Sequence, residues 1–154
     1  MLQSLNKKQF LNSDLDTVWN FMSRPENLSK ITPEYMGFEV LTDIKGIEMY
    51  SGQIIEYKVS PMMGIKLHWV TEITHVKNKS FFVDEQRFGP YKFWHHQHHL
   101  KEVEGGVEMI DIIHYKIPFG FLGKIANTLL VKKQLEEIFS HRFRVLDNMF
   151  NKTK

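Results

Sequence analysis

Between residues 38 and 116 apolar and polar positions alternate with a period of two, and the alternation is broken at short intervals by turn residues. Side chains on a strand point to opposite faces in turn, so this pattern predicts strands with one packed face, at 38–42, 49–59, 65–75, 80–88, 92–102 and 107–116. The breaks are Lys45-Gly46, residues 61–64, Lys77-Asn78-Lys79, Gly89-Pro90 and Gly105-Gly106. Connections this short join antiparallel neighbours, so the six strands form a meander. A further short strand is predicted at 7–11, and it is expected to lie beside the last strand of a seven-stranded sheet.

The period is helical on either side of the meander. Asn12, Ser13 and Asp14 are helix-start residues; Ser13 is read as the cap, with Asp16 in a capping-box position, and Leu15, Val18, Trp19 and Met22 mark one face of a short helix. Pro25 suits the first turn of a second short helix over 26–31, closed by Thr32 and Pro33. From 122 to 151 there is no proline and no glycine after Gly123, and Ile125, Leu129, Leu135, Ile138, Phe139, Phe143, Leu146 and Phe150 recur at helical spacing. A helix of about 28 residues is about 42 Å long, enough to cross the whole sheet. It is expected to pack on the concave face. These elements make an α+β chain read as a single domain over 1–154.

Composition narrows the function. Twenty Lys and Arg against 18 Asp and Glu leave a formal charge of +2, and no run of five like charges occurs, so no nucleic-acid partner is expected. With no cysteine, disulfides, thiolate metal sites and thiol catalysis are excluded, and a reducing compartment suits the chain. No apolar stretch approaches the roughly 18 residues that span a bilayer, and the first residues lack a signal-peptide core; the expected location is the cytoplasm, without stable membrane insertion. Phe, Tyr and Trp make up 13% of the chain, with eight Met besides, and just over half of the aromatic residues fall on the predicted strands. Such a sheet covers either a solid aromatic core or a cavity that grips an apolar ligand.

The stretch from Asp84 to Leu100, Asp-Glu-Gln-Arg-Phe-Gly-Pro-Tyr-Lys-Phe-Trp-His-His-Gln-His-His-Leu, resembles a bacterial subgroup of ligand-binding domains in the START-like superfamily, also called SRPBCC. Met109-Ile110-Asp111 through Tyr115, Pro118-Phe119-Gly120, Leu122-Gly123, and Ile138-Phe139 with Arg142 carry the same resemblance, which covers the whole chain. It implies the helix-grip fold of the birch-pollen allergen: a curved seven-stranded antiparallel sheet, two short helices after the first strand, and a long C-terminal helix over the concave face. Members of that superfamily include lipid carriers, hormone receptors and polyketide cyclases, so the resemblance implies a container and not an activity.

Alternation assigns the candidate site. Trp94, His96, His98 and Leu100 share one face, taken as concave because of its apolar bookends. Met109, Asp111, Ile113 and Tyr115 form the matching set on the next strand, and Phe82, Asp84, Gln86 and Phe88 on the previous one. Asp84, Gln86, His96, His98 and Asp111 are thus expected as a polar cluster inside an aromatic wall of Tyr57, Trp69, Trp94 and Tyr115. Phe139 is expected to reach in from the helix, and Arg142 either reaches in toward Asp84, Asp111 or a ligand acid or lies on a solvated helix edge. Three uses fit the cluster: a satisfied hydrogen-bond network, recognition or acid-base work on a ligand's polar end, or three ligands for a metal. No metal and no cofactor is expected. The leading function is binding or carriage of a hydrophobic or amphipathic small molecule. The alternatives are a cyclase or aldol-type enzyme, with His96 or His98 as base and Asp111 as its partner, and a surface interaction module with a filled core. There is no phosphate loop, GxSxG elbow or HExxH helix. The apolar 61–64 turn and the 118–121 link suit a pocket mouth, and no oligomeric state is assigned.

Overall fold

The structure, a computed structural model, describes residues 2–60, 65–117 and 124–151, with 124–128 as backbone only. The elements are β1 (Gln3–Leu11), α1 (Leu15–Met22), 3₁₀ segments at Pro25–Ile31 and Glu34–Met36, β2 (Glu39–Val40), β3 (Gln53–Val59), β4 (Leu67–Lys77), β5 (Phe81–Phe88), β6 (Phe93–Val103), β7 (Gly106–Lys116) and α2 (Lys124–Phe150). The strands form one antiparallel seven-stranded sheet in the order β1-β7-β6-β5-β4-β3-β2, so the first strand does lie beside the last. That closure depends on the β6–β7 turn. Gly105 has a φ of +79°, and a Cβ on Gly106 would stand 2.3 Å from the Leu11 carbonyl oxygen, so only glycine lets β1 approach there.

Several boundaries differ from the sequence reading for identifiable reasons. β1 begins at Gln3 and not at 7, because Lys7 and Gln9 occupy inward positions and interrupt the apolar alternation. Asp14, not Ser13, caps α1: its carboxylate accepts from the Thr17 N–H and from the Thr17 hydroxyl, both at 2.7 Å. The second helix is a 3₁₀ segment that starts at Pro25, and β2 is limited to two residues. The 61–64 turn and the 118–121 link lie outside the described residues.

Leu135, Phe139, Arg142 and Leu146 form the buried stripe of α2. Burying each of the apolar three contributes roughly 1.5–3 kcal/mol. Leu129 and Phe143, expected on this face, are 66% and 44% exposed. At 100° per residue they sit roughly 110° and 70° round from the stripe, too far to reach the sheet. The side chain of Ile125 is not described. Polar bonds fix the helix against β1: Lys7 pairs with Glu136, Gln9 donates to the Phe143 carbonyl (2.9 Å), and Asn151 accepts from the Asn12 N–H (2.7 Å). Three core clusters result, around Trp19 and Leu146, around Ile55 and Tyr57, and around Trp94 and Tyr115, with the site between them.

Candidate functional site

Sheet register brings the polar cluster together. Asp84 on β5 pairs with His96 on β6, and His98 on β6 pairs with Asp111 on β7, so two imidazoles lie between two carboxylates. The contacts run around both rings. His96 Nδ1 is 3.3 Å and His98 Nε2 is 2.9 Å from Asp84 Oδ2; His96 Nε2 is 3.1 Å and His98 Nδ1 is 2.9 Å from Asp111 Oδ1. From α2, Arg142 Nη2 reaches Asp111 Oδ1 at 3.7 Å and His98 Nδ1 at 3.2 Å. The Trp94 indole N–H donates to Asp84 Oδ1 at 3.1 Å. The rings are packed as well as bonded, with His98 stacked on Phe82 at 4.1 Å between ring centres and tilted by 41° against His96 at 3.7 Å.

Burial makes the charges interdependent. His96, His98, Asp111 and Arg142 are buried, while the Asp84 side chain keeps 18% of its surface. Burial alone raises the pKa of Asp111, but the Arg142 charge and hydrogen bonds from both imidazoles outweigh it and hold the carboxyl well below 3.8. Asp84 is lowered in the same way, burial being overcome by the His96 charge and bonds from both rings. For His96, burial opposes protonation, but Asp84 and Asp111 together raise its pKa above 6.5. For His98, burial and the neighbouring His96 charge lower it. The two rings are thus driven apart, with the carboxylates favouring a proton on His96 and the His96 charge disfavouring one on His98.

Beside the cluster lies a cavity of about 160 Å³ under α2, walled by Tyr57, Trp69, Tyr91, Trp94 and Phe139 and floored by Met22, Ile31 and Met36. Asp84, His96, His98 and Arg142 form its polar end. Asp111 and Arg142 also border a second cavity of about 240 Å³ between β1, β7 and α2, lined by Lys7 and Gln9. Two buried donors in the wall of the first cavity, Trp69 Nε1 and Arg142 Nε, have no hydrogen-bond partner among the described residues.

No family model matches the sequence, and neither does any curated protein. Solved structures do. TTHA0849 from Thermus thermophilus superposes with a TM-score of 0.72 at 14% identity, covering 95% of each chain. ZhuI aromatase/cyclase from Streptomyces sp. R1128 gives 0.73 at 11% identity, over 95% of this chain and 92% of that one. Ginseng major latex-like protein 151 from Panax ginseng gives 0.68 at 15%, over 97% and 98%. The chain has the helix-grip fold.

Within the helix-grip fold, the sequence-derived site divides into three groups. Tyr57, Trp69, Asp84, Trp94, His96, His98, Phe139 and Arg142 line the first cavity. Asp111 is central to the network but stands behind the histidines, and Tyr115 is buried between Trp94 and Leu135 and lies outside the cavity lining. Gln86 is not in the cluster: β5 stops pairing with β6 at Glu85, and the Gln86 amide instead binds the Tyr91 backbone, donating to its carbonyl at 2.6 Å and accepting from its N–H at 3.1 Å. The sequence pattern singles out neither Tyr91 nor the 3₁₀ floor. Tyr91 sits 4.9 Å from Trp94 and 5.6 Å from Trp69, and the one sequence signal for it is the aromatic richness of the stretch.

These shifts give stability a two-sided pH dependence. His96, raised in the fold, contributes stability that is complete below 6.5 and fades as pH climbs through its higher folded value. His98, lowered, contributes the opposite way, losing stability as pH falls below 6.5; Asp84 and Asp111 add a further loss below 3.8. Urea unfolding across pH, with EDTA present to keep cations off the imidazoles, is expected to give maximum stability near pH 6.5. In His96→Gln the alkaline decline should disappear. An unchanged alkaline limb in that variant would show that His96 carries no excess proton.

Proposed function

We propose that this chain binds a small amphipathic molecule, with its apolar body between Trp69, Trp94 and Phe139 and a hydrogen-bond acceptor at the polar end. The observation that carries the reading is an apolar cavity with two buried donors in its wall, Trp69 Nε1 and Arg142 Nε, that have no partner among the described residues. A buried N–H without an acceptor is costly, and a ligand carbonyl or carboxylate would satisfy it. A cavity of about 160 Å³ suits one aromatic ring or a short acyl chain better than a fused polyketide, since an engineered apolar cavity of about that size takes up benzene.

The enzyme alternative finds less support. A general base needs a nitrogen open to substrate, and all four ring nitrogens of His96 and His98 stand within 3.3 Å of a carboxylate. The name of the Streptomyces aromatase/cyclase belongs to a protein 11% identical to this one, and what it suggests is a fold suited to enclosing ligands. A filled core is disfavoured by the cavity itself. Among the described residues no helix is long and apolar enough to cross a membrane. A single domain in the cytoplasm is part of this reading, supported by one continuous sheet and a chain without cysteine.

The test is native mass spectrometry of protein purified from its own host, followed by identification of any bound small molecule and titration of it by tryptophan fluorescence. A stoichiometric acceptor-bearing ligand is expected, and Trp69→Phe should weaken its binding about fivefold to tenfold, the worth of one hydrogen bond. Protein that arrives empty and binds nothing in a panel of small aromatic acids, quinones and short acyl compounds would end the carrier reading.

A further inference from the structure

The geometry points to a divalent transition-metal site formed by Asp84, His96 and His98 at the polar end of the cavity. We set aside the expectation from sequence that no metal is bound, on two observations. Each of the three side chains offers one ligand atom, the three atoms lie within 4.8 Å of one another, and all three residues line the cavity. His96 Nδ1 and His98 Nε2 lie 3.3 and 2.9 Å from Asp84 Oδ2. Ligands about 2.1 Å from one ion in tetrahedral or octahedral geometry stand about 3.0 to 3.4 Å apart, so only small side-chain adjustments are needed to admit it.

The second observation is Asp111. The other nitrogen of each ring, His96 Nε2 and His98 Nδ1, contacts the same Asp111 oxygen at 3.1 and 2.9 Å, and Arg142 stands beside it. This is the outer carboxylate that metal-binding imidazoles use to fix their tautomer and raise their basicity. Without a metal, His96 Nε2 bonds Asp111, His98 Nε2 bonds Asp84, and His98 Nδ1 accepts from Arg142. With a metal, two neutral rings would each give an N–H to Asp111 and a lone pair to the ion, and Arg142 would turn from His98 Nδ1 to Asp111 alone. Two carboxylates, Arg142 and a divalent ion then leave a charge of +1 facing the cavity, suited to an anionic or carbonyl group.

Two imidazoles and one carboxylate select Zn²⁺ or Fe²⁺ over Mg²⁺ or Ca²⁺, which prefer oxygen ligands. Three protein ligands leave positions open toward the cavity. The inference does not depend on the organic-ligand reading, because metal alone is the probe.

The experiment is titration of the EDTA-stripped full chain with Zn²⁺ and Co²⁺, read by calorimetry, by the visible absorption of bound Co²⁺ and by the unfolding midpoint. One ion per chain is expected, with a raised midpoint. Asp84→Asn and His98→Gln, checked for fold by circular dichroism, should each weaken binding at least about tenfold, and Asp111→Asn about 10- to 100-fold. The double variant His95→Ala/His99→Ala, which removes imidazoles from the outer face of β6, should bind as the parent does. Failure of the parent chain to bind one ion overturns the inference. So does binding that survives both Asp84→Asn and His98→Gln, or that disappears with the outer histidines.

Discussion

Asp111→Ala is expected to lower the unfolding free energy by about 3–5 kcal/mol, the range for removing one partner of a buried charge network. Asp111 is 2% exposed, and its Oδ1 serves His96, His98 and Arg142 together. The loss leaves the buried Arg142 guanidinium without its counter-charge and removes an acceptor from both imidazoles, with Asp84 the one carboxylate left in the cluster. Since a domain of this kind is stable by about 5–15 kcal/mol in all, the variant keeps little margin. Asp111→Asn keeps a carbonyl acceptor and should lose less. Urea denaturation with EDTA present provides the measurement. A loss below about 1 kcal/mol for the alanine variant would mean that Arg142 finds solvent or another acid, and that Asp111 is not the hub of the network.

Why Asp111 is legible in the sequence and its role is not follows from what a strand sequence encodes. The spacing of Trp94, His96, His98 and Leu100 determines which face of β6 is buried, because apolar residues at both ends of the run leave one choice. Met109 to Tyr115 does the same for β7. Register between strands is another matter. Nothing in either strand says that His98 faces Asp111 or that Asp84 faces His96; this is set by the turns that join β5 to β6 and β6 to β7. Gln86 shows the limit, since it obeys the alternation yet sits where pairing with β6 has ended, so its amide goes to the turn backbone. Arg142 is readable as a helix residue between two apolar neighbours, but only part of the cavity floor is. Met22 lies on the apolar face of α1, whereas Ile31 and Met36 belong to 3₁₀ turns that carry no such period.

The second large effect runs the other way. Replacing the whole cluster with apolar side chains, Asp84→Leu, His96→Phe, His98→Leu, Asp111→Leu and Arg142→Met, is expected to recover the stability that Asp111→Ala loses. Trp94→Phe must be added, because its indole N–H would otherwise lose Asp84. No buried charge then remains unpaired, and hydrophobic replacement of a buried ionic network leaves stability unchanged or raises it by about 1–4 kcal/mol. The same variant should bind neither Zn²⁺ nor an acceptor-bearing ligand, though the remaining cavity can still take up a purely apolar one such as benzene. Comparison with the parent in urea, with EDTA present, separates two accounts of why five ionisable groups are buried under α2. If the apolar variant is as unstable as Asp111→Ala, the cluster serves the fold, fixing strand register and the seat of the helix. If it is at least as stable as the parent, the network is a cost to the fold that only binding explains, and Asp84, the one member that keeps surface toward the cavity, is where that binding occurs.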